Sequence, residues 1–302
     1  MKEYGFGVDL GGTTCKIGLF KTNGELLDKW EIKTNTENNG AFILDDIANA
    51  IEAKISTSQI DKADIEGIGI GVPGPVAADG TVYKCVNLGW GVFNVAKELS
   101  DKTGLKVKAG NDANIAALGE MWQGAAKGYS DIVMATIGTG IGGGIIVNGQ
   151  IISGSKGGAG EIGHICVNKD ETEKCSCGKT GCLEQYASAT GIVRMAKEKL
   201  HRYDITAKDI FDEAKAGDAS ANELINQLGE FLGTALASVA NVTNPQIFVI
   251  GGGVSKAGKI LIDATEHHFR KQAFHICSDA RFVLAKLGND AGIYGSVQLI
   301  LE

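Results

Sequence analysis

YGFGVDLGGTTCKIGLFKTNGELLDKWEIK, residues 4–33, decides the fold. Gly5–Leu10 reads as a strand, Cys15–Phe20 as a second and Leu26–Ile32 as a third. Gly11-Gly12-Thr13-Thr14 joins the first pair. Asn23-Gly24 joins the second pair and is a strong hairpin signal. The same order returns in mid-chain: strand Asp131–Ile137, glycine turn Gly138-Thr139-Gly140, strand Gly142–Val147, Asn148-Gly149, strand Gln150–Ser153. Each copy has a further echo. Ile65–Val72 runs into Pro73-Gly74-Pro75, and Gln246–Ile250 runs into Gly251-Gly252-Gly253. One Asn-Gly hairpin is a common accident, but a shared order of four features is less so. Two similar α/β lobes are expected, each presenting a glycine hairpin to a cleft between them.

Helical periodicity fills the intervals. Ala41–Lys54 places Phe42, Leu44, Ile47, Ala50 and Ile51 near one face. Val92–Thr103, Ala113–Gln123, Gln185–Leu200, Ala207–Ala214, Ala219–Ala240 and Asp290–Leu301 are the other helices expected.

The composition excludes several classes. The net charge of −7 comes without any run of five basic residues, so no nucleic-acid surface is expected. No apolar stretch approaches the ~20 residues of a membrane span. Strand-like sequence from Tyr4 leaves no place for a secretory signal, so the cytoplasm is the expected compartment. There are 43 glycines but three prolines, which points to tight turns and close ligand approach rather than disorder. Seven cysteines, an odd number, fit thiols or metal ligands better than a disulfide framework. Cys15, Cys85, Cys166 and Cys277 read as small packing residues.

Four segments carry chemistry. Asp9-Leu10-Gly11-Gly12-Thr13-Thr14-Cys15-Lys16 offers clustered N–H groups and two hydroxyls to an anion. Asp9 can hold Mg²⁺ through water, and Lys16 can add positive charge. Ile137–Gly144 contains Gly138-x-Gly140-x-x-Gly143, the spacing of a dinucleotide fingerprint. That fingerprint needs a helix after the glycines, whereas a strand and a hairpin follow here, so NAD binding is rejected. Gly178-Lys179-Thr180 looks like a P-loop ending, but the leading glycine position holds Glu173. Third, His164 with Cys175, Cys177 and Cys182 forms an N/S₃ set suited to a structural Zn²⁺. A disulfide or inert thiols are the competing readings. Glu161 and Glu184 bracket this clip as solvated surface or as hydroxyl acceptors. Fourth, Asn111-Asp112 stands where a strand meets a helix. Either residue can serve as an N-cap, and Asp112 can also serve as a proton acceptor.

These residues, across nearly the whole chain, resemble the ROK family of sugar kinases, regulators and related proteins. Asp9-x-Gly11-Gly12-Thr13-x-x-Lys16 looks like its first phosphate motif and Ile137–Gly144 like its second. Val249–Val254 looks like its adenosine motif. Glu161-x-x-His164 with Cys175-x-Cys177-Gly178-x-x-Gly181-Cys182-x-Glu184 is similar to its zinc motif, the most specific match. The resemblance implies a two-lobed α/β fold of the actin-like ATPase (ribonuclease H-like) type. Residues 1–115 with 291–302 would form the smaller lobe, and 116–290 the larger one carrying the zinc loop. It implies Asp112 as general base and Asn87, Asn111, Asp112, Glu161, His164 and Glu184 around a sugar. It implies His164, Cys175, Cys177 and Cys182 around zinc. ATP with Mg²⁺ would use Asp9, Gly11, Gly12, Thr13, Thr14, Lys16, Gly138, Thr139, Gly140 and Gly252.

Asn87-Leu88-Gly89-Trp90 brings the likeness nearest to ROK glucokinases. Phosphorylation of glucose at the 6-hydroxyl is therefore expected, and the family resemblance, not any sequence feature, implies a homodimer. Kinases for fructose, allose, N-acetylmannosamine or N-acetylglucosamine remain alternatives. So do a sugar-responsive regulator and a silent sugar sensor. A regulator would carry a helix-turn-helix ahead of Asp9, for which the sequence leaves no room. A silent sensor has no use for Asp112 and both phosphate hairpins.

Overall fold

The structure is a computed structural model that describes residues 2–302. Contacts divide the chain into two compact units. The first takes the described residues up to Gly128, with Ile151–Ala159 and Asn289–Glu302. The second takes Tyr129–Gln150 and Gly160–Gly288.

The first unit is built on β1 (Tyr4–Leu10), β2 (Thr14–Lys21), β3 (Leu26–Lys33), β4 (Ile65–Val72), β5 (Thr81–Val82), β6 (Phe93–Asn94) and β7 (Val107–Asn111). Five of these form one sheet in the order β3-β2-β1-β4-β7, and β5 pairs with β6. The second unit holds β8 (Ile132–Ile137), β9 (Ile141–Val147), β10 (Gln150–Ile151), β11 (Ile247–Gly251) and β12 (Arg281–Leu284), in the order β10-β9-β8-β11-β12. The duplication expected from the sequence is real at the level of pairing. β1 runs antiparallel to β2 and parallel to β4, which runs parallel to β7. Likewise β8 is antiparallel to β9 and parallel to β11, which is parallel to β12.

Residue chemistry explains the layers. β4 is buried along almost its whole length, as expected of an apolar strand in parallel pairings covered on both faces. β3 lies at the sheet edge, with Leu26, Trp30 and Ile32 half-covered and its other residues exposed. Each unit has its own apolar core, one around Phe6, Ile17, Ile47 and Ile70, the other around Leu228, Leu236, Phe248 and Ile250.

Two helical readings need correction. Residues 185–200 do not form one helix. A short turn Glu184–Ala187 ends at Ser188, whose extended backbone (φ −89°, ψ 173°) starts a new helix, Ala189–Leu200. The buried Ser188 hydroxyl accepts from Gly191 N, which stabilises the break as an N-cap. The helix Lys259–Gln272 was not foreseen. Its buried positions are Leu261, Thr265 and Phe269, so one is polar, and the apolar stripe is too thin to read.

The last helix, Ala291–Leu301, returns to the first unit and packs with almost no side chain between backbones. A Cβ on Gly7 would lie 2.0 Å from Ile293 O, and one on Gly69 1.7 Å from Ser296 O. On the neighbouring helix Asp112–Trp122, a Cβ on Gly119 would lie 2.2 Å from Ala291 O. In return, a Cβ on Gly295 would lie 1.7 Å from Ile115 O. Ser296 Oγ donates to Val8 O at 2.8 Å within this seam. Helix propensity favours Ala over Gly by about 1 kcal/mol. At position 295 the steric term wins, because the obstacle is backbone. Gly295→Ala should destabilise the protein by about 1–3 kcal/mol, the cost of overpacking. Thermal denaturation should show a lower midpoint; an equal or higher one would contradict the seam.

Candidate functional site

Parallel strands align their carboxyl ends, and ligands of open α/β sheets gather there. In the first unit β1 ends beside Asp9, which is in register with Gly71 of β4, and Val72 is in register with Asn111 of β7. Asp9, Asn111 and Asp112 therefore share one edge of the sheet.

Asn111 is the cap of the helix Asp112–Trp122. Its Oδ1 accepts from Ala113 N (3.0 Å) and Asn114 N (3.2 Å), and its Nδ2 donates to Gly74 O (3.1 Å). The choice between Asn111 and Asp112 as cap is thus resolved in favour of Asn111. Asp112 is the first helical residue, exposed, with Oδ1 accepting from Ala113 N at 2.8 Å. A helix N-terminus favours an anionic side chain at this place.

Asp9 is held in a different setting. A Cβ on Gly292 would lie 2.6 Å from Asp9 Oδ2, so the carboxyl group rests directly on the first turn of the last helix. Burial, then the negative charges of Asp112 and Asp290, raise its pKa from 3.8 to about 6, against the opposing pull of Lys16. A carboxylate whose pKa is raised by burial and by neighbouring acids makes a site that a cation would stabilise.

The turn after β1 is closed by Gly11 N donating to Thr14 O. Gly12, Thr13 and Thr14 are exposed. Thr34, which the sequence reading passed over, braces the turn: its Oγ1 donates to Gly11 O (2.8 Å) and its N to Thr13 O (2.9 Å). Lys16 points elsewhere. Its Nζ donates to Asn289 O (2.7 Å) and Asp290 Oδ1 (3.1 Å), tying β2 to the start of the last helix. Asn87 is exposed, its Cβ 3.8 Å from where a Cβ on Gly12 would stand.

In the second unit the glycine turn Gly138-Thr139-Gly140 joins β8 to β9, so strand, not helix, follows the glycines. Gly138 O accepts from Ala189 N (2.8 Å), the first residue after the Ser188 break. Gly252 touches the same turn, since a Cβ there would lie 2.4 Å from Ile137 O. A cavity of ≈ 400 Å³ opens beside these turns, lined by Gly138, Thr139, Gly253, Val254, Phe211 and Lys208 among others.

Gly140 also touches the cysteine clip, because a Cβ there would lie 2.5 Å from Glu184 Oε2. One donor atom from each of His164, Cys175, Cys177 and Cys182 lies within 4.8 Å of the other three. Cys177 Sγ and Cys182 Sγ are 3.6 Å apart, and Cys175 Sγ and His164 Nδ1 3.7 Å. A tetrahedral zinc with ligands at ~2.3 Å sets its donors about 3.8 Å apart, so the four residues fit that ion. Burial, then the neighbouring Cys177 and Cys175, pushes the Cys182 thiol up to about 12. A divalent cation reverses such a shift by favouring the thiolate.

Glu184 Oε1 accepts from Cys175 Sγ (2.9 Å) and Ser176 Oγ (3.0 Å) and lies 3.8 Å from His164 Nδ1. Glu161 Oε2 lies 3.9 Å from His164 Nε2. The sequence reading missed Arg194 and Gln185, which staple the loop leading into the clip. Arg194 Nη2 pairs with Glu171 Oε2 (2.7 Å), and this contact, with Tyr186 OH, lowers the Glu171 pKa to about 2. Gln185 accepts from Cys182 N and donates to Glu173 O.

Each unit therefore assembles its own share of the expected residues. Asp9, Gly11, Gly12, Thr13, Thr14, Asn87, Asn111 and Asp112 meet in the first. Gly138, Thr139, Gly140, Gly252, Glu161, His164, Glu184 and the three cysteines meet in the second. Among the described residues no helix is long and apolar enough to cross a membrane.

A family model described as ROK family matches residues 5–302. The glucokinase of Halalkalibacterium halodurans is 47% identical over 98% of this chain and 94% of its own length. The glucokinase of Thermotoga maritima is 36% identical over 98% and 96%. Among solved structures, a ROK family glucokinase from Streptomyces griseus in complex with glucose and AMPPNP has a TM-score of 0.76 at 34% identity, covering 98% of each chain.

The Asp9 shift carries a sign. The folded chain holds a proton on Asp9 between 3.8 and about 6 that the unfolded chain releases, so stability falls as pH rises through that window. In the absence of divalent cations, Asp9→Asn should stabilise the protein at pH 7.5 by up to about 3 kcal/mol. The advantage should vanish near pH 4. Denaturant titrations at the two pH values check it; an Asp9→Asn protein less stable at pH 7.5 would contradict the assignment.

Proposed function

The chain belongs to the ROK family, and from that premise we propose that it is a glucokinase, transferring the γ-phosphoryl group of ATP to the 6-hydroxyl of glucose. The observation that carries the reading is the division of labour at the head of the helix Asp112–Trp122. Asn111 caps the helix, and the exposed Asp112 carboxylate, with Oδ1 accepting from Ala113 N, stands beside it at the helix head as the proton acceptor of this reading. The glucokinase relatives, matched over nearly their full length, support glucose as acceptor.

In this mechanism Asn87, Asn111, Asp112, Glu161, His164 and Glu184 are the residues assigned to the sugar hydroxyls. Glutamates accept from them, the Asn87 amide can donate and accept, and Asn111, its oxygen held by the helix cap, has its second amide N–H to donate. Asp112 takes the 6-hydroxyl proton as that oxygen attacks the γ-phosphorus. The bond from phosphorus to the β,γ-bridging oxygen breaks, ADP departs, and Asp112 then releases its proton to solvent. The turns at Gly11–Thr14 and Gly138–Gly140 supply N–H donors to the phosphates, with Gly252 and the adjoining cavity taking the adenosine. Mg²⁺ bound with ATP would offset phosphate charge, and Asp9 is the carboxylate that would hold it. Lys16 joins this set only indirectly, through its hold on Asp290.

Zinc fits His164, Cys175, Cys177 and Cys182 and would supply structure rather than chemistry, since four protein ligands leave no open position. Deprotonation of Cys175 on metal binding would end its hydrogen bond to Glu184 and leave that carboxylate for sugar hydroxyls. Cytoplasmic ATP and reduced thiols suit this reading. A homodimer is the assembly it carries over from the family.

Asp112→Asn should lower kcat by about 10²–10⁴-fold while glucose KM changes little. ADP release measured across glucose, fructose, allose and N-acetylhexosamines tests both base and acceptor. Near-normal turnover in the variant, or preference for another sugar, would contradict the respective part. Elemental analysis should find about one zinc per chain. Cys177→Ser should lose zinc and weaken glucose binding together; full glucose affinity without zinc would reject the structural role.

A further inference from the structure

The loop that carries Asn87 is built against backbone in a conformation that L-residues rarely adopt in succession. Asn38 (φ 50°, ψ 41°) and Asn39 (φ 60°, ψ 37°) are followed by Gly40 at φ 69°. Single left-handed residues are routine for Asn and Gly, but runs of three are not. Such a segment persists only where its surroundings over-determine it, and it concentrates where position matters to function.

The surroundings here are the Asn87 loop. The indole Nε1 of the buried Trp90 donates to Gly40 O at 3.1 Å. A Cβ on Gly89 would lie 2.8 Å from Asn39 Cα, and one on Gly40 would lie 2.6 Å from Leu88 O. Trp90 is fixed in turn by Phe93, edge to face at 5.0 Å. The loop closes at its base through Cys85 N to Trp90 O (3.1 Å) and Trp90 N to Cys85 O (3.0 Å). Asn87 is exposed two residues into that loop, facing Gly12. Contact therefore runs from the reversed turn, through Trp90, to Asn87.

We propose that the left-handed turn Asn38–Gly40 and Trp90 form a latch that fixes Asn87 for the acceptor sugar. Trp90 is then a positioning residue for the sugar and not for the nucleotide. The inference rests on the sugar-kinase reading, and it assigns to that site a residue that acts through Asn87.

Trp90→Phe keeps a ring against Phe93 and deletes the N–H donor. Gly40→Ala keeps the indole and drives the turn away from Leu88. Steady-state kinetics with glucose and ATP varied separately, beside thermal midpoints, read the latch from both sides. Each variant should raise glucose KM about 3- to 10-fold, the scale of one lost hydrogen bond, with ATP KM unchanged. An active wild type whose variants keep the glucose KM, or raise both KM values together, overturns the latch alone. A wild type that phosphorylates no sugar overturns the sugar-kinase reading, and the latch with it.

Discussion

Where the last helix crosses β1 and β4, backbone meets backbone. Gly7, Gly69, Gly119 and Gly295 leave no room for a single methyl group between Ala291–Leu301 and its neighbours. The approach sets the positions of both carboxylates in the first unit. The helix Asp112–Trp122 is held by Gly119 and Gly295, and Asp112 stands at its head. Asp9 lies on Gly292 at the head of the other helix. Close-packed backbone is stiff, so the two acids stay near enough for each to feel the other's charge. A looser helix pair would let them separate, and the Asp9 pKa would fall.

The second unit solves a different problem. Its loop between Val167 and Cys182 is polar and has little apolar sequence to bury. Arg194, Gln185 and Tyr186 hold it from the side, and the cysteine cluster closes its end. The same cluster reaches Glu184, and Glu184 touches the phosphate-type turn at Gly140. The cysteine cluster, Glu184 and the glycine turn are therefore neighbours in one small region.

What the sequence made legible was local. Asn148-Gly149, with φ of 52° and 77°, is a turn whose chemistry two residues declare. The cysteine spacing declared the clip, and the repeated hairpin declared the duplicated sheet. What stayed hidden was long range. Nothing near Lys16 tells that it bonds to Asn289 and Asp290, more than 270 residues away. Thr34 reads as a loop residue until its hydroxyl is seen on Gly11. Ser188 interrupts an apolar period that favours continuation, because its buried hydroxyl caps a new helix and frees Ala189 N for Gly138. Gly292 looked like one glycine among 43.

The central claim is chemical: one exposed carboxylate accepts the proton of a sugar's primary alcohol. A crystal structure with glucose and a non-hydrolysable ATP analogue measures it directly. The account predicts an Asp112 carboxylate oxygen about 2.6–3.2 Å from the glucose 6-hydroxyl oxygen, within direct proton-transfer reach. A 6-hydroxyl facing another acid, or lying beyond reach of Asp112 with both ligands bound, would contradict it.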